Sequence, residues 1–306
     1  MTRTTTLSGR ETSRIGLGCG RLQGGAVTKA SIRLVEQARK LGITHFDVAP
    51  SYGLGLAEDV LGDALAGDAA VTIATKVGIA RPGHAGLKSL ARSVLKPLFS
   101  ATPALRRRLG ANASGGTRGQ FGAAQIEASV TESLRRLKRD TVDVLLLHQP
   151  DPESIGPEVA ATMARTMSDH RAVSVGSGTG GDLDALVPFG MVRQYRWSTG
   201  TASTPTAGTD IVHGLLRRYP RPTPTPPAWD EQMNALGFDP ADPASWPGLL
   251  LTLALASAPN AIVLISSTDP RRLTQAVEAI DWGAAAGERA GFIDAAEALI
   301  ATGGAT

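Results

Sequence analysis

Between Gly42 and Gly67 the chain reads "GITHFDVAPSYGLGLAEDVLGDALAG". An apolar, strand-like run, "THFDV", ends near a carboxylate, Asp47. A turn of proline, serine and glycine follows, and it holds Tyr52, one of three tyrosines in the chain. The next residues, "AEDVLGDALAG", read as a short helix. Strand, irregular turn and helix make one unit of an alternating α/β chain, and the flanking sequence repeats that unit.

Upstream, "RIGLGCG" (Arg14–Gly20) reads as a strand entering a glycine turn. "TKASIRLVEQARKLGI" follows as a helix, with Thr28 as N-cap, Ile32, Val35, Ala38 and Leu41 on one face, and Gly42 as terminator. Downstream, "AVTIATKVG" (Ala70–Gly78) is an unbroken β-branched strand of the parallel kind. Residues 79–122 are rich in glycine, proline, arginine and serine, and are expected to form a mobile loop insertion. Ile126, Val130, Leu134 and Leu137 then stripe a helix before a fourth strand, "TVDVLLLHQPDP" (Thr141–Pro152). "AVSVGSGTGG", "MVRQYRWS", "DIVHGLL" and "AIVLISSTDP" supply strands five to eight, with helices in "EVAATMARTMSDH", "WPGLLLTLALASAPN" and "RRLTQAVEAI". Eight strands, most followed by helices, predict a single-domain (β/α)8 TIM barrel over residues 1–306. "TGTASTPTAG" (Thr199–Gly208) lacks a helical pattern and weakens the count there. A doubly wound open sheet is the alternative, but "GLGCGRLQGG" does not fit G-x-G-x-x-G leading directly into a helix.

Hydrophobic residues are 42% and charged residues 19% of the chain, enough for a large core. A net charge of +3 is too weak to argue for nucleic acid, and "LRRRLG" and "LRRLKRD" read as solvated faces. Cys19 is the only cysteine, so no internal disulfide forms and a cytoplasmic location is expected. The N-terminal residues show no apolar signal region, and "LLLTLALASA" is too short to span a bilayer, so no membrane partner is expected.

In a parallel barrel the C-terminal strand ends share one face, where chemistry sits. Asp47, Lys76 and His148 each close an apolar run, and Tyr52 lies just beyond Asp47. Taken singly each has a plain reading: a turn cap, a snorkelling lysine, a near-core histidine, a packing tyrosine. Together they are complementary. A phenol titrates near ~10 in water, so donating a proton near neutral pH calls for a nearby positive charge. Lys76 supplies it, Asp47 holds Lys76 charged, and His148 can bond a substrate oxygen. An acid of this kind without a metal suits carbonyl reduction by a cofactor hydride.

These segments resemble the aldo-keto reductases, NADPH-using (β/α)8 barrels. "GITHFDVAPSYGLGLAEDVLGDAL" is similar to the family's signature, "VTIATKVG" to its lysine strand and "VDVLLLHQPDP" to its histidine strand. The resemblance implies Tyr52 as proton donor, Lys76 and Asp47 as its tuners, and His148 as the residue orienting the carbonyl. It implies nicotinamide contacts at Gln194 and Thr179, with Gly178 and Thr179 standing where the family has serine and asparagine. His213 stands near the place of a stacking tyrosine. For the adenosine 2′-phosphate it implies Ser266, Ser267, Thr268 and Arg272, although Ser266 and Ala276 replace a usual lysine and asparagine. NADPH is the implied cofactor, with NADH as its rival, and a small carbonyl or alcohol compound is the implied substrate. Two other functions compete: an oxidative sugar or secondary-alcohol dehydrogenase using NAD(P), and a nicotinamide-binding regulatory subunit. The loops that set the substrate vary freely. Residues 79–122, "WSTGTAST" and the proline-rich "YPRPTPTPPAW" are the expected walls, with Phe121, Trp197 and Trp229 as apolar candidates that each read as packing residues before substrate contacts.

Overall fold

The computed structural model describes residues 3–25, 28–83, 116–179, 186–200 and 209–303, without the side chains of 279–284. A hairpin of β1 (Thr4–Leu7) and β2 (Arg10–Ser13) comes first. Eight parallel strands follow: β3 (Ile15–Gly18), β4 (His45–Asp47), β5 (Thr72–Val77), β6 (Val142–His148), β7 (Ala172–Gly178), β8 (Val192–Arg196), β9 (Thr209–His213) and β10 (Ile262–Ile265). Each pairs with its successor, and β10 pairs with β3 to close a barrel. The expected ring of eight parallel strands is therefore present, each strand overlapping the run read from sequence, with the last residues of the later runs lying in loops beyond the strand ends.

The two-residue period of these strands sorts their side chains into two cores. Ala74, Val144, Leu146, Val192, Ile211, Ile262 and Leu264 fill the barrel interior. Their neighbours, such as Ile73, Leu145, Leu147, Val212 and Val263, pack outward against helices. Those helices include α1 (Thr28–Lys40), α2 (Ala57–Ala64), α3 (Ala123–Leu137) and α4 (Pro157–Ser168). Beyond β9 come α5 (Leu215–Arg218), α6 (Trp229–Leu236) and α7 (Ser245–Ser257), and beyond β10 come α8 (Pro270–Gly287) and α9 (Phe292–Thr302). The stripe of Ile126, Val130, Leu134 and Leu137 is buried as expected. On α1 the face is rotated: Leu34, Val35 and Ala38 are buried, while Ile32 and Leu41 are only partly so.

The N-terminal hairpin caps the end of the barrel where the strands begin. Leu7 is wholly buried in the interior core. Ser8 bonds the Asp143 carbonyl, and Arg10 pairs with the Asp143 carboxylate at 2.6 Å. Removing such a leucine side chain costs about 2–5 kcal/mol. The hairpin was not expected, because "TTTL" and "RETS" are polar and carry no apolar alternation.

Of the expected loop over residues 79–122, the stretch 84–115 lies outside the described residues, as do residues 201–204 of the "WSTGTAST" turn. Residues 116–120 run beside 78–80 just past β5: Ala80 N–H bonds the Thr117 carbonyl at 2.8 Å, and Gln120 N–H bonds the Gly78 carbonyl at 3.0 Å. No described helix is long and apolar enough to cross a membrane.

Candidate active site

At the C-terminal ends of the strands lies a cleft of about 1000 Å3. Asp47 ends β4, Lys76 lies near the end of β5 and His148 ends β6, so three adjacent strands bring them to one rim. Lys76 is 1% exposed, and its ammonium donates to both Asp47 oxygens at 2.8 and 2.7 Å and to the Val48 carbonyl at 3.0 Å. Gln194 of β8 adds a bond of 2.6 Å from its amide Nε2 to Asp47 Oδ2.

Tyr52 opens the turn beyond β4. Gly53 takes φ +58, and a Cβ there would meet the Leu22 carbonyl oxygen at 1.9 Å, so the turn that aims Tyr52 needs glycine. The Tyr52 ring stands 5.0 Å from the Lys76 ammonium and meets the His148 ring edge-on at 5.8 Å. Tyr52 and His148 line the cleft, whereas Lys76 sits beneath them.

Burial pushes the Tyr52 phenol up, and the Lys76 charge pulls it back without winning. The expectation that lysine would lower the phenol outright is therefore corrected: the low-dielectric site dominates, and Tyr52 stays protonated at neutral pH. For Lys76, burial pulls down, but Asp47 and Tyr52 outweigh it and the ammonium is held above its ordinary range. Burial, then Lys76, Arg118 and His213, hold His148 well below the usual histidine range, so it is neutral. Its Nδ1 has no partner among the described residues.

The other expected residues all line the same cleft on the opposite arc, β7 to β10. Thr179 follows β7, and its carbonyl bonds His213 Nε2 at 3.0 Å. Ser266 Oγ donates to the Gly18 carbonyl at 3.0 Å. Ser267 Oγ donates to the Asp269 carbonyl and accepts from Asp269 N–H, both at 3.0 Å. Asp269 Oδ1 accepts from Arg271 N–H at 2.9 Å, capping α8. Thr268 and Arg272 complete that wall.

The three apolar candidates are packing residues, the plainer reading of each, and none lines the cleft. Phe121 lies over Gly78, Trp197 meets Tyr219 edge-on at 5.6 Å, and Trp229 stacks against Trp246 at 4.9 Å. No residue of the proline-rich loop lines the cleft. Pro243, Ala244, Pro247 and Leu250, around the start of α7, do so. Sequence reasoning missed them because α7 is apolar on every side and shows no exposed face to read. It also missed the rim arginines Arg21, Arg118 and Arg217.

A family model described as "Aldo/keto reductase family" matches residues 14–176, more than half of the chain. The chain belongs to the aldo/keto reductase family. Among its relatives, Aldo-keto reductase YhdN of Bacillus subtilis is 28% identical over 176 residues, 55% of this chain and 44% of that protein. The match thus spans less than half the length of that relative. D-threo-aldose 1-dehydrogenase of Pseudomonas sp is 25% identical over 283 residues, 80% of this chain and 81% of that protein. The crystal structure of an aldo-keto reductase from Klebsiella pneumoniae in complex with NADPH superposes with a TM-score of 0.63 at 17% identity, covering 92% of this chain and 90% of that one. At such identity this likeness speaks for the shared barrel of the aldo/keto reductases alone.

Proposed function

We propose that this aldo/keto reductase family member reduces an aldehyde or ketone to an alcohol with NADPH, with Tyr52 as the proton donor. The observation that carries the reading is the Tyr52 phenol, held protonated at the cleft floor between neutral His148 and the Lys76–Asp47 pair. The chain is read as one (β/α)8 domain, with residues 116–120, beside the end of β5, as part of the rim.

The donor set on the β7–β10 arc suits a dinucleotide. Arg217 and Arg272 line it without a carboxylate partner among the described residues, and a guanidinium fork matches phosphate geometry. Ser267 and Thr268 add hydroxyls, and Gln194 and Thr179 stand at the nicotinamide end. Bound there, the cofactor supplies the hydride. Tyr52 gives its proton to the carbonyl oxygen as that oxygen gains charge. The Lys76 ammonium, kept charged by Asp47, stabilises the phenolate left behind. His148 donates a hydrogen bond that orients the carbonyl. Tyr52→Phe keeps the ring and removes the acid, so turnover falls about a hundredfold to ten-thousandfold while NADPH binding, followed by fluorescence, persists. Full turnover in that variant would return Tyr52 to a packing role.

A second reading is an oxidative dehydrogenase using NAD. It is favoured by Asp269, a carboxylate in the wall meant for the 2′-phosphate, and by Ser266 and Ala276 in place of lysine and asparagine. A relative over most of the length is a D-threo-aldose 1-dehydrogenase. Side-by-side titration with NADPH and NADH separates the two.

A further inference from the structure

The cleft's charges do not balance. Four arginines line it: Arg21, Arg118, Arg217 and Arg272. None has a carboxylate partner among the described residues, whereas Arg10, Arg39, Arg81, Arg136 and Arg193 elsewhere are all ion-paired. Among the described residues, two acids line the cleft. Asp47 is bound by Lys76 and Gln194, and Asp269 caps α8. Arg217 and Arg272 lie on the arc assigned above to cofactor phosphates. Arg21 follows β3, beside β10, where the two arcs meet.

Arg118 is different. It stands just past β5, which lies across the closed ring from β9 and so on the Tyr52 side of the cleft. Its backbone is fixed on both sides by the bonds from Ala80 N–H to Thr117 and from Gln120 N–H to Gly78. Phe121 locks the same strap, because its ring fills the space beside Gly78 where a Cβ would come within 2.1 Å. The result is a positioned cation, without an acid partner among the described residues, lining the same cleft as Tyr52 and His148. Its charge is felt at His148, whose proton affinity it lowers after burial and Lys76 have done so.

We propose that the carbonyl substrate carries a second, anionic group, carboxylate or phosphate, and that Arg118 binds it. This rests on the reductase reading of the site. A guanidinium–oxyanion contact favours the charged compound over a neutral one of the same shape by roughly ten- to a hundredfold.

The test pairs 4-formylbenzoate with its methyl ester, and glyceraldehyde 3-phosphate with glyceraldehyde, using the full chain and NADPH. At least one acid is expected to exceed its neutral partner in kcat/KM by about tenfold or more, mainly through KM. The better pair identifies carboxylate or phosphate. Arg118→Gln collapses that ratio toward one, and Arg118→Lys restores part of it; a loop merely loosened by mutation would not alter the ratio. A ratio near one for both pairs in the wild-type protein, or one unmoved by Arg118→Gln, overturns the proposal and leaves the reductase reading standing. If no aldehyde turns over, that reading falls, and calorimetric titration with both anions decides the role of Arg118. Binding lost in Arg118→Gln supports it; no binding, or unchanged binding, overturns it.

Discussion

Lys76 and Arg14 are both nearly inaccessible to water, at opposite ends of the barrel, and they are neutralised differently. Lys76, near a strand's C-terminal end, meets a carboxylate at 2.7 Å. Arg14, just before β3, meets no acid among the described residues. Its guanidinium donates to the carbonyls of Leu255 at 2.8 Å, Ala258 at 2.7 Å and Ala261 at 3.4 Å, tying the end of α7 to the barrel base. Burial lowers its pKa to about 10, so it remains charged at neutral pH. One cation is paired so that its field acts on a neighbouring phenol. The other is spread over backbone dipoles and serves only to fasten.

Substituting each cation by methionine breaks the comparison most sharply. Lys76→Met should cost turnover about as much as Tyr52→Phe, and the two losses should not add, because both act on one proton transfer. It should also destabilise the fold by about 3–5 kcal/mol, since Asp47 is left buried and unpaired. Lys76→Met with Asp47→Asn should recover much of that stability in urea titrations and none of the turnover. A double variant that regains activity would deny Lys76 its role. Arg14→Met should lower stability by about 3 kcal/mol, from carbonyls left without donors, while turnover per folded molecule holds. A large fall in turnover would mean the two ends are coupled.

Acid should test the groups buried between these cations. Burial holds His45 near 4, against 6.5 in an open chain. Between those values the unfolded chain binds the extra proton first, so stability falls as pH drops from 6.5 to about 4, by about 3 kcal/mol at the end. His148 acts in the same direction. Urea midpoints at neutral pH and near 4.5 should show a smaller fall in His45→Gln; an equal fall would place the loss elsewhere. The smallest effect concerns an exposed cation. Arg272→Ala should weaken NADPH roughly ten- to a hundredfold and NADH much less, by fluorescence titration. Equal losses would remove Arg272 from phosphate binding.

The strand-end groups could be read from sequence because each follows an unbroken apolar run, and the barrel sends all such ends to one rim. Tyr52 could be read because its turn is glycine- and proline-rich between a clear strand and a clear helix. Other features carried no such signal. Thr28 marked the start of α1, but one helical turn admits either Ile32 or Leu34 as the inward residue, and the fold buries Leu34 in the core. The bond from Gln194 to Asp47 joins residues 147 apart and appears in no local pattern. The Pro243–Leu250 wall hides in a helix start that is apolar all round, and the rim position of Arg118 depends on how its loop folds back, which polarity alone does not encode.

The hairpin that seals the barrel base has a kinetic consequence. Thr5 Oγ1 bonds the carbonyl of Asn260, 255 residues away, and Leu7 shares its core with Ile262. These contacts can form only once the first and last barrel strands have met, so they carry the largest loop-closure cost in the chain. Contacts of such sequence separation slow folding. Interactions that form after the rate-limiting step set how fast the native state opens rather than how fast it forms. Leu7→Ala should therefore leave the refolding rate almost unchanged and speed unfolding by the full loss in stability. The polar hairpin is, in this sense, the latch on the barrel's lifetime.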